Sequence, residues 1–511
     1  MGRSTTWRQL IVATVITLST VLVAGCTSGG SGTPGGSSAP ARTLTIGATA
    51  SPNSMDPTTN SAAAIPQVLL YNVYETLVKL DSAGEIRPLL AAEWSVSTDR
   101  TVYTFKLQPS AKFASGAPVD AEAVVASIER VMTLDGITPV NKTQMSVVKG
   151  AKAVDATTVE VTLNRPSNNW LYDMSQTAGV IIDPAGYADL ATTPAGSGPY
   201  KLTEWLKGES VTLERNPDYW GTAPRFDKAV FRYFTDPTAQ NSAMASGDLD
   251  IISNVTAPQA LAQFEDESRF TIHEGTTNGE IVMGLNNARP ALQDVRVRQA
   301  INYALDRQAL MDTVWGGYGM LIGSMVPPTD PWYEDLSGTY PYNPEKAREL
   351  LAEAGHANGL TLALRVPTLP YATGSAQFIV SQLAEVGITV TVDELEFPAR
   401  WIDEVMVKSN YDMTIVSHVE GRDIVKFADK NYYWHYDNPE FNKLVDEADT
   451  GTPEDQITKM REAAQLLADD AAACWLWLLP NLIVSRADLT GIQVNATSLS
   501  FDLTTIASRN A

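Results

Sequence analysis

Cysteine is nearly absent from this chain of 511 residues: Cys26 and Cys474 are the only two. A disulfide-stapled scaffold is therefore excluded. Histidine is scarce too. His273, His356, His418 and His435 make up the full set, and none stands at zinc-type spacing from cysteine. Basic residues number 37 against 59 acidic ones, for a net charge of -22. A chain of that sign is a poor partner for nucleic acid or an anionic membrane surface. The charges are scattered, so no acidic tail is implied. A Gly-x-Ser-x-Gly elbow, a His-Glu-x-x-His helix and a Walker lysine loop are all missing, which argues against catalysis. No cofactor is called for, and no metal site.

The remaining composition is that of a globular protein, 44% hydrophobic and 19% charged. The length allows two or three lobes with their own cores. The first 25 residues stand apart. Arg3 and Arg8 precede an apolar or threonine-rich stretch, Leu10 to Val23, and the small residues Ala24-Gly25. At about 14 residues the stretch is too short to span a bilayer and reads as a secretory signal. The two arginines are not adjacent, so a twin-arginine signal is not supported. "VAGC" (Val23 to Cys26) resembles a bacterial lipobox, which implies cleavage before Cys26 and lipidation of its sulfur. The alternative is an ordinary signal with an incidental cysteine. Residues 27–41, "TSGGSGTPGGSSAPA", bury no apolar surface and read as a tether of about 20 Å. With Cys26 lipidated, Cys474 has no partner, and its apolar neighbours make it a buried, inert thiol.

From residue 42 strand-like and helix-like segments alternate, which argues an α/β class. "RTLTIGA", "TVYTFKLQ" (101–108) and "TTVEVTLN" (157–164) alternate in period two. Asp120 caps a helix over "AEAVVASIERVM". Asp294 leads one helix through "VRVRQAINYALDRQAL", with Val297, Ile301, Ala304 and Leu305 on one face. Asn343 and Pro344 open another that stops at Gly355. No internal repeat or second low-complexity linker is present. Met413 to Val416 reads as a short buried strand, after which His418, Glu420, Arg422 and Asp423 crowd together.

Several blocks are similar to one family. They are "NVYETLVKLDSAGEIRPLLAAEWSVSTDRTVYTFKLQPSAKFASGAPVDAEAVVASIERV" (72–131), "GSGPYKLTEWLKGESVTLERNPDYWG" (196–221), "GDLDI", "DVRVRQAINYALDR" and "YNPEKARELLAEAG". In this order they resemble the family 5 solute-binding proteins of peptide and nickel ABC importers. The resemblance implies a two-lobed periplasmic-binding-protein type II α/β fold with an extra subdomain. Lobe I would comprise 42–70, 196–283 and 481–511, the extra subdomain 71–195 and lobe II 284–480. It further implies a monomer held extracytoplasmically on the outer face of the cell membrane by lipid on Cys26. It would close on a short peptide or other small ligand and deliver it to ABC permease subunits.

In peptide-binding members a Trp-x-x-Asp-like segment follows the strand occupied here by "MTIV", and its aspartate meets the ligand α-amine. A buried ammonium without a carboxylate loses several kcal/mol. Here His418 stands at the tryptophan position. Asp423 is the first choice for the acid and Glu420 the second; the alternative is that both solvate a loop or pair with Arg422. Arg422 either forks onto a ligand carboxylate or neutralises these acids, the latter preferred. His418 hydrogen-bonds ligand, holds a carboxylate or, least favoured, ligates metal. Trp401 stacks on ligand or packs in a core. Ala62, Ala63 and Ala64 run beside an extended peptide like an added strand. Ser197 and Gly198 face ligand or serve a tight turn, the latter preferred. Asn286-Asn287 open lobe II as a hinge. The aromatic run 431–441 lines the pocket mouth or packs a core, the latter preferred. The rival ligands are a nickel complex, an oligosaccharide or a modified amino-acid compound. The rival classes are an extracytoplasmic hydrolase using Glu420 and Asp423, and a non-transport sensor or adhesin.

Overall fold

The computed structural model describes residues 42–509. The signal peptide, Cys26 and the tether read above lie outside the described residues. Among the described residues no helix is long and apolar enough to cross a membrane.

Two long strands organise the molecule. Phe270–Leu285 and Ala473–Arg486 pair antiparallel along nearly their whole length. They sit in the middle of a ten-stranded sheet. On one side follow Ile251–Ile252, Thr43–Ala48, Lys228–Tyr233, Ser210–Arg215 and Tyr200–Leu206. On the other follow Met413–His418, Leu360–Pro367 and Ile388–Leu395. Leu360–Pro367 and Ile388–Leu395, joined through helix Pro370–Glu385, run parallel, as do Thr43–Ala48 and Lys228–Tyr233 from distant parts of the chain. The central pair shifts register at Ile281–Val282 and, more widely, near its middle. Thr276 faces Pro480 and Glu280 faces Leu478, so Thr277, Asn278 and Gly279 stand opposite Leu479 alone. Such a bulge bends the ladder and raises its twist. Here it divides the sheet into two lobes.

Each lobe has its own core. On one side of the bulge Leu44, Ile46, Leu213 and Phe231 pack with Tyr74 and Ile483. On the other, the two faces of the sheet carry separate cores. Ile281, Met283 and Ile415 pack under the helices, while Val282 and Val416 pack under Trp332, Tyr433 and Trp434. Alternation along each strand delivers its residues to the two faces in turn. A four-stranded antiparallel sheet, Ala91–Val96, Val102–Leu107, Thr158–Leu163 and Val148–Asp155, forms a third unit around Phe105, Val159 and Trp170.

The expected caps are in place. Asp120 accepts from the Ala123 amide and Asn343 from the Lys346 amide. The helix expected to run unbroken from residue 295 divides instead. Val295–Tyr303 ends, and Arg307–Trp315 starts afresh because Asp306 turns its carboxylate back onto the Ala309 amide. Val297, Ile301, Ala304 and Leu305 are buried all the same. Cys474 is buried without a disulfide partner among the described residues, and burial pushes its thiol up to about 12. Asn286 and Asn287, expected at the hinge, are both hydrogen-bonded to the main chain around them. Asn286 Nδ2 donates to Tyr411 O, and Asn287 Nδ2 to Trp434 O and Ala472 O, locking the strand end into the surrounding core.

Candidate functional site

A cavity of about 330 Å³ lies where the two long strands cross between lobes. Its wall comes from distant parts of the chain: Ala63 and Ala64, the bulge Thr277–Gly279, Leu479–Asn481, the segment after Ile492, and Val419. Side-chain amides and hydroxyls supply most of its polarity. Among the described residues no lysine, arginine or histidine lines it. Its one carboxylate, Asp502, is held by Lys79 Nζ at 3.0 Å.

Beside this cavity the strand Met413–His418 delivers the charged stretch. Its cross-strand neighbour is the long strand, with His418 directly opposite Glu280. Gly279 and Val419, one step beyond that pair, are both in the cavity wall. Asp423 opens a short 3₁₀ turn, Asp423–Ala428, and is only 3% exposed. Both its oxygens are engaged. Oδ2 lies 2.9 Å from His418 Nδ1, and Oδ1 lies 2.9 Å from Lys426 Nζ. His418 Nε2 lies 2.8 Å from the Tyr433 hydroxyl. A proton on Nδ1 lets the ring donate to Asp423, and the contact with the Tyr433 hydroxyl completes the chain. Burial works against the Asp423 charge, but His418 and Lys426 outweigh it and hold the carboxyl below the usual aspartate value. Burial likewise opposes the Lys426 charge; Asp423 and then Glu420 outweigh it and hold the ammonium above the usual lysine value.

His418, Glu420 and Asp423 bring ligand-type atoms within 4.8 Å of one another. The Lys426 ammonium sits among them, 2.9 Å from Asp423 and 3.6 Å from Glu420, and is the cation of this group. Glu420 itself is exposed.

Arg422 turns away from both acids. Its backbone is left-handed at φ 62°, and its guanidinium lies 3.9 Å from the Tyr172 ring centroid and 4.8 Å from that of Trp332. Its Nη1 donates to Asn169 Oδ1 at 2.8 Å. The preceding residue is glycine because nothing larger fits: a Cβ on Gly421 would stand 1.9 Å from the Tyr172 hydroxyl. Lysine thus has the neutralising role expected of Arg422. Arg422 instead bridges two parts of the chain through its flat face.

Two other expected ligand residues lie in the packing. Trp401 is buried, donates from Nε1 to Thr414 Oγ1 at 3.1 Å and packs against Tyr433. Ser197 is fully buried and donates to Glu75 at 2.7 Å. Glu75 also accepts from Tyr219 at 2.7 Å and Trp220 at 3.0 Å. Two of the quoted sequence blocks therefore meet at one buried carboxyl, which burial pushes up to about 7 against the pull of its three donors. Ala63 and Ala64 do line the cavity, and Ala62 adjoins them in the core beneath. In the aromatic run, Tyr433, Trp434 and Tyr436 are buried, with Trp434 stacked on Phe427 at 3.8 Å.

Sequence reasoning missed Glu280, Asp330 and Lys426. Lys426 follows Asp423 by three residues, the spacing of neighbours on a helical turn. Glu280 was legible as a lone acid heading the apolar run "IVMGL". Asp330 carried no local signal.

A two-lobed α/β clamp, bent at a strand crossing beside a polar cavity, is the architecture of a binding protein. The chain belongs to the bacterial extracellular solute-binding proteins of family 5, whose middle-region profile matches residues 85–442. It is therefore a binding protein rather than an enzyme. It is similar to the glutathione-binding protein GsiB of Salmonella paratyphi A, 27% identical over 338 residues. That match covers 65% of this chain and 65% of GsiB. It is also similar to the probable D,D-dipeptide-binding periplasmic protein DdpA of Escherichia coli K12, 28% identical over 88% of this chain and 91% of the relative. Among solved structures it resembles DppA from Helicobacter pylori in complex with peptide STSA, with a TM-score of 0.75 and 23% identity. That likeness covers 91% of this chain and 98% of the other.

Proposed function

We propose that this protein is the substrate-binding component of an ABC importer and captures short peptides between its lobes. The observation that carries the reading is the polar cavity of about 330 Å³ at the strand crossing, lined from both sides of the bulge. Sites of about 300–1,000 Å³ are the usual size for small ligands. The relatives named for glutathione and D,D-dipeptides support a peptide ligand. In this reading residues 42–70, 196–283 and 481–511 form lobe I, 71–195 the extra subdomain and 284–480 lobe II. The main chain at Ala62–Ala64 lies along the peptide, and the stretch from His418 to Asp423 closes over it from lobe II. Trp401 and Ser197 support the site from the packing. The protein is a monomer that hands its cargo to permease subunits, tethered outside the cell membrane by lipid on Cys26.

Native mass spectrometry of the full-length protein, purified in mild detergent without added ligand, tests the cargo. Released masses that fragment as peptides are expected; one discrete non-peptide compound overturns the peptide reading. Cys26→Ser tests the anchor and is expected to move the protein from the membrane fraction to the soluble one. One feature favours a second reading. With no cation in the cavity wall, a free ligand carboxylate has no partner there. A modified amino-acid compound or an oligosaccharide would suit that wall.

A further inference from the structure

Four carboxylates gather beside the cavity, where Glu280 feels the charges of Asp423, Asp330 and Glu420. Two fixed cations stand among them. Lys426 is committed to Asp423 and Glu420. Arg422 donates to Asn169 and lies on two aromatic faces, while its charge also draws Asp330 down and its Nε has no partner among the described residues. Glu280 is left without a cation, Asp330 has only the charge of Arg422, and both acids are deeply buried. Glu280 is 1% exposed and Asp330 9%. Glu280 Oε2 and Asp330 Oδ2 both lack a hydrogen-bond partner. Buried polar atoms are nearly always partnered, so two orphaned carboxylate oxygens in one neighbourhood mark a missing group. The neighbours of Glu280 supply none. Across one strand stands His418, whose two ring nitrogens are engaged by Asp423 and Tyr433. Across the other stands Leu478, which has nothing polar to offer from its side chain.

We propose that Glu280, backed by Asp330, is the seat for a cationic nitrogen of the ligand, an ammonium or guanidinium, and that the protein selects cargo by it. The inference rests on the cavity being the ligand site. It assigns the charge recognition to the long crossing strand rather than to Asp423, whose two oxygens are already taken. Burial, and then the charge of Asp423, hold the Glu280 carboxyl well above the usual glutamate value. A cation arriving there relieves both effects. The position suits the task. Glu280 is one residue from the bulge, so a cation drawn to it lies at the bend where the lobes meet.

The test uses the full-length protein in detergent, wild type against Glu280→Gln. Glutamine keeps the shape and removes the charge, and a melting curve for each confirms folding. Asp330→Asn is the second variant. Each protein is incubated with a protease digest of casein, either untreated or acetylated at its amines, and bound masses are read by native mass spectrometry. The expected result is loading from the untreated digest only, with at least a tenfold loss in Glu280→Gln and a smaller loss in Asp330→Asn. Equal loading from the acetylated digest, or unchanged loading of Glu280→Gln, overturns the cation seat while leaving peptide binding intact. Wild type that takes nothing from either digest overturns the peptide reading instead. The same pair is then compared on small cationic compounds recovered from a cell extract by cation exchange. Selective loading of wild type there upholds the seat, and equal or absent loading overturns it.

Discussion

Glu280 and Asp423 stand on neighbouring elements, and burial treats them oppositely because one has partners and the other has none. Asp423 is held below its ordinary value, so its contribution to stability is present above about pH 4 and is lost as pH falls through its folded value. Glu280 is held above its ordinary value, so the folded protein keeps a proton that the unfolded chain releases. Its effect is the reverse: stability declines as pH rises above about 4.5 towards the folded value. Melting temperatures between pH 3 and pH 8 separate the two. Glu280→Gln is expected to flatten the decline above pH 4.5 and to raise the melting temperature at neutral pH. Asp423→Asn is expected to lower it at neutral pH, because half-buried Lys426 loses its main counter-charge. A Glu280→Gln protein that melts lower at neutral pH would mean that the carboxyl has a stabilising partner after all. Ser197 makes a third case. Ser197→Ala removes one of three donors to Glu75 and is expected to cost about 1–3 kcal/mol of stability with ligand affinity unchanged. Weakened affinity at equal folding would return Ser197 to the ligand site.

Periodicity marks elements well: the strands beginning at Thr43, Val102 and Thr158 stand where period-two alternation puts them, and the one at Met413 where a short apolar run puts it. Capping residues mark helix starts equally well, because the signal is a side chain bonded to an amide two or three residues away. The split at Asp306 shows the limit. An apolar face continued through it, and the interruption depended on one carboxylate choosing a local amide. The site was less legible because its partners come from separate segments. Asp330, Lys426 and Glu280 meet only after the sheet has formed, and nothing near Arg422 announced Tyr172. The bulge was invisible for a similar reason: it is a mismatch between two strands, not a property of either. Thr277 holds it closed. Its hydroxyl donates to Leu479 O at 2.7 Å and accepts from the Gly279 amide at 2.8 Å. Thr277→Val keeps the shape and removes both bonds. It is expected to cost about 1–3 kcal/mol, read as a lower melting temperature, with faster amide exchange at Gly279. Exchange unchanged at Gly279 would show that the bulge is held by the strands on either side.

At the scale of the whole molecule, the lobes meet at a second place away from the bulge. The segment 165–173, on the four-stranded unit, grips the end of helix Pro439–Thr450. Asn168 Nδ2 lies 2.7 Å from Ala448 O and 3.0 Å from Gly451 O, covering carbonyls that a helix end leaves unpaired. Asp449 answers by accepting from Ser167 Oγ at 2.8 Å and Arg165 Nη1 at 2.6 Å. The Arg422 guanidinium against Tyr172 belongs to the same contact. A clamp bent at one end and fastened at the other has a closed state whose population depends on the fastening, since any ligand acts only through its preference for that state. Asn168→Ala removes side-chain bonds that water replaces once the lobes part, so the net loss is about 1–3 kcal/mol. The open population is expected to rise, and apparent affinity to fall in proportion to the closed fraction. Small-angle scattering of the ligand-free variant should give a larger radius of gyration than wild type. Saturating ligand should restore the wild-type value, because the closed geometry itself is untouched. An unchanged radius without ligand would mean that the bend at Thr277–Gly279 sets the closed state alone, and that the grip on Asp449 follows closure rather than favouring it.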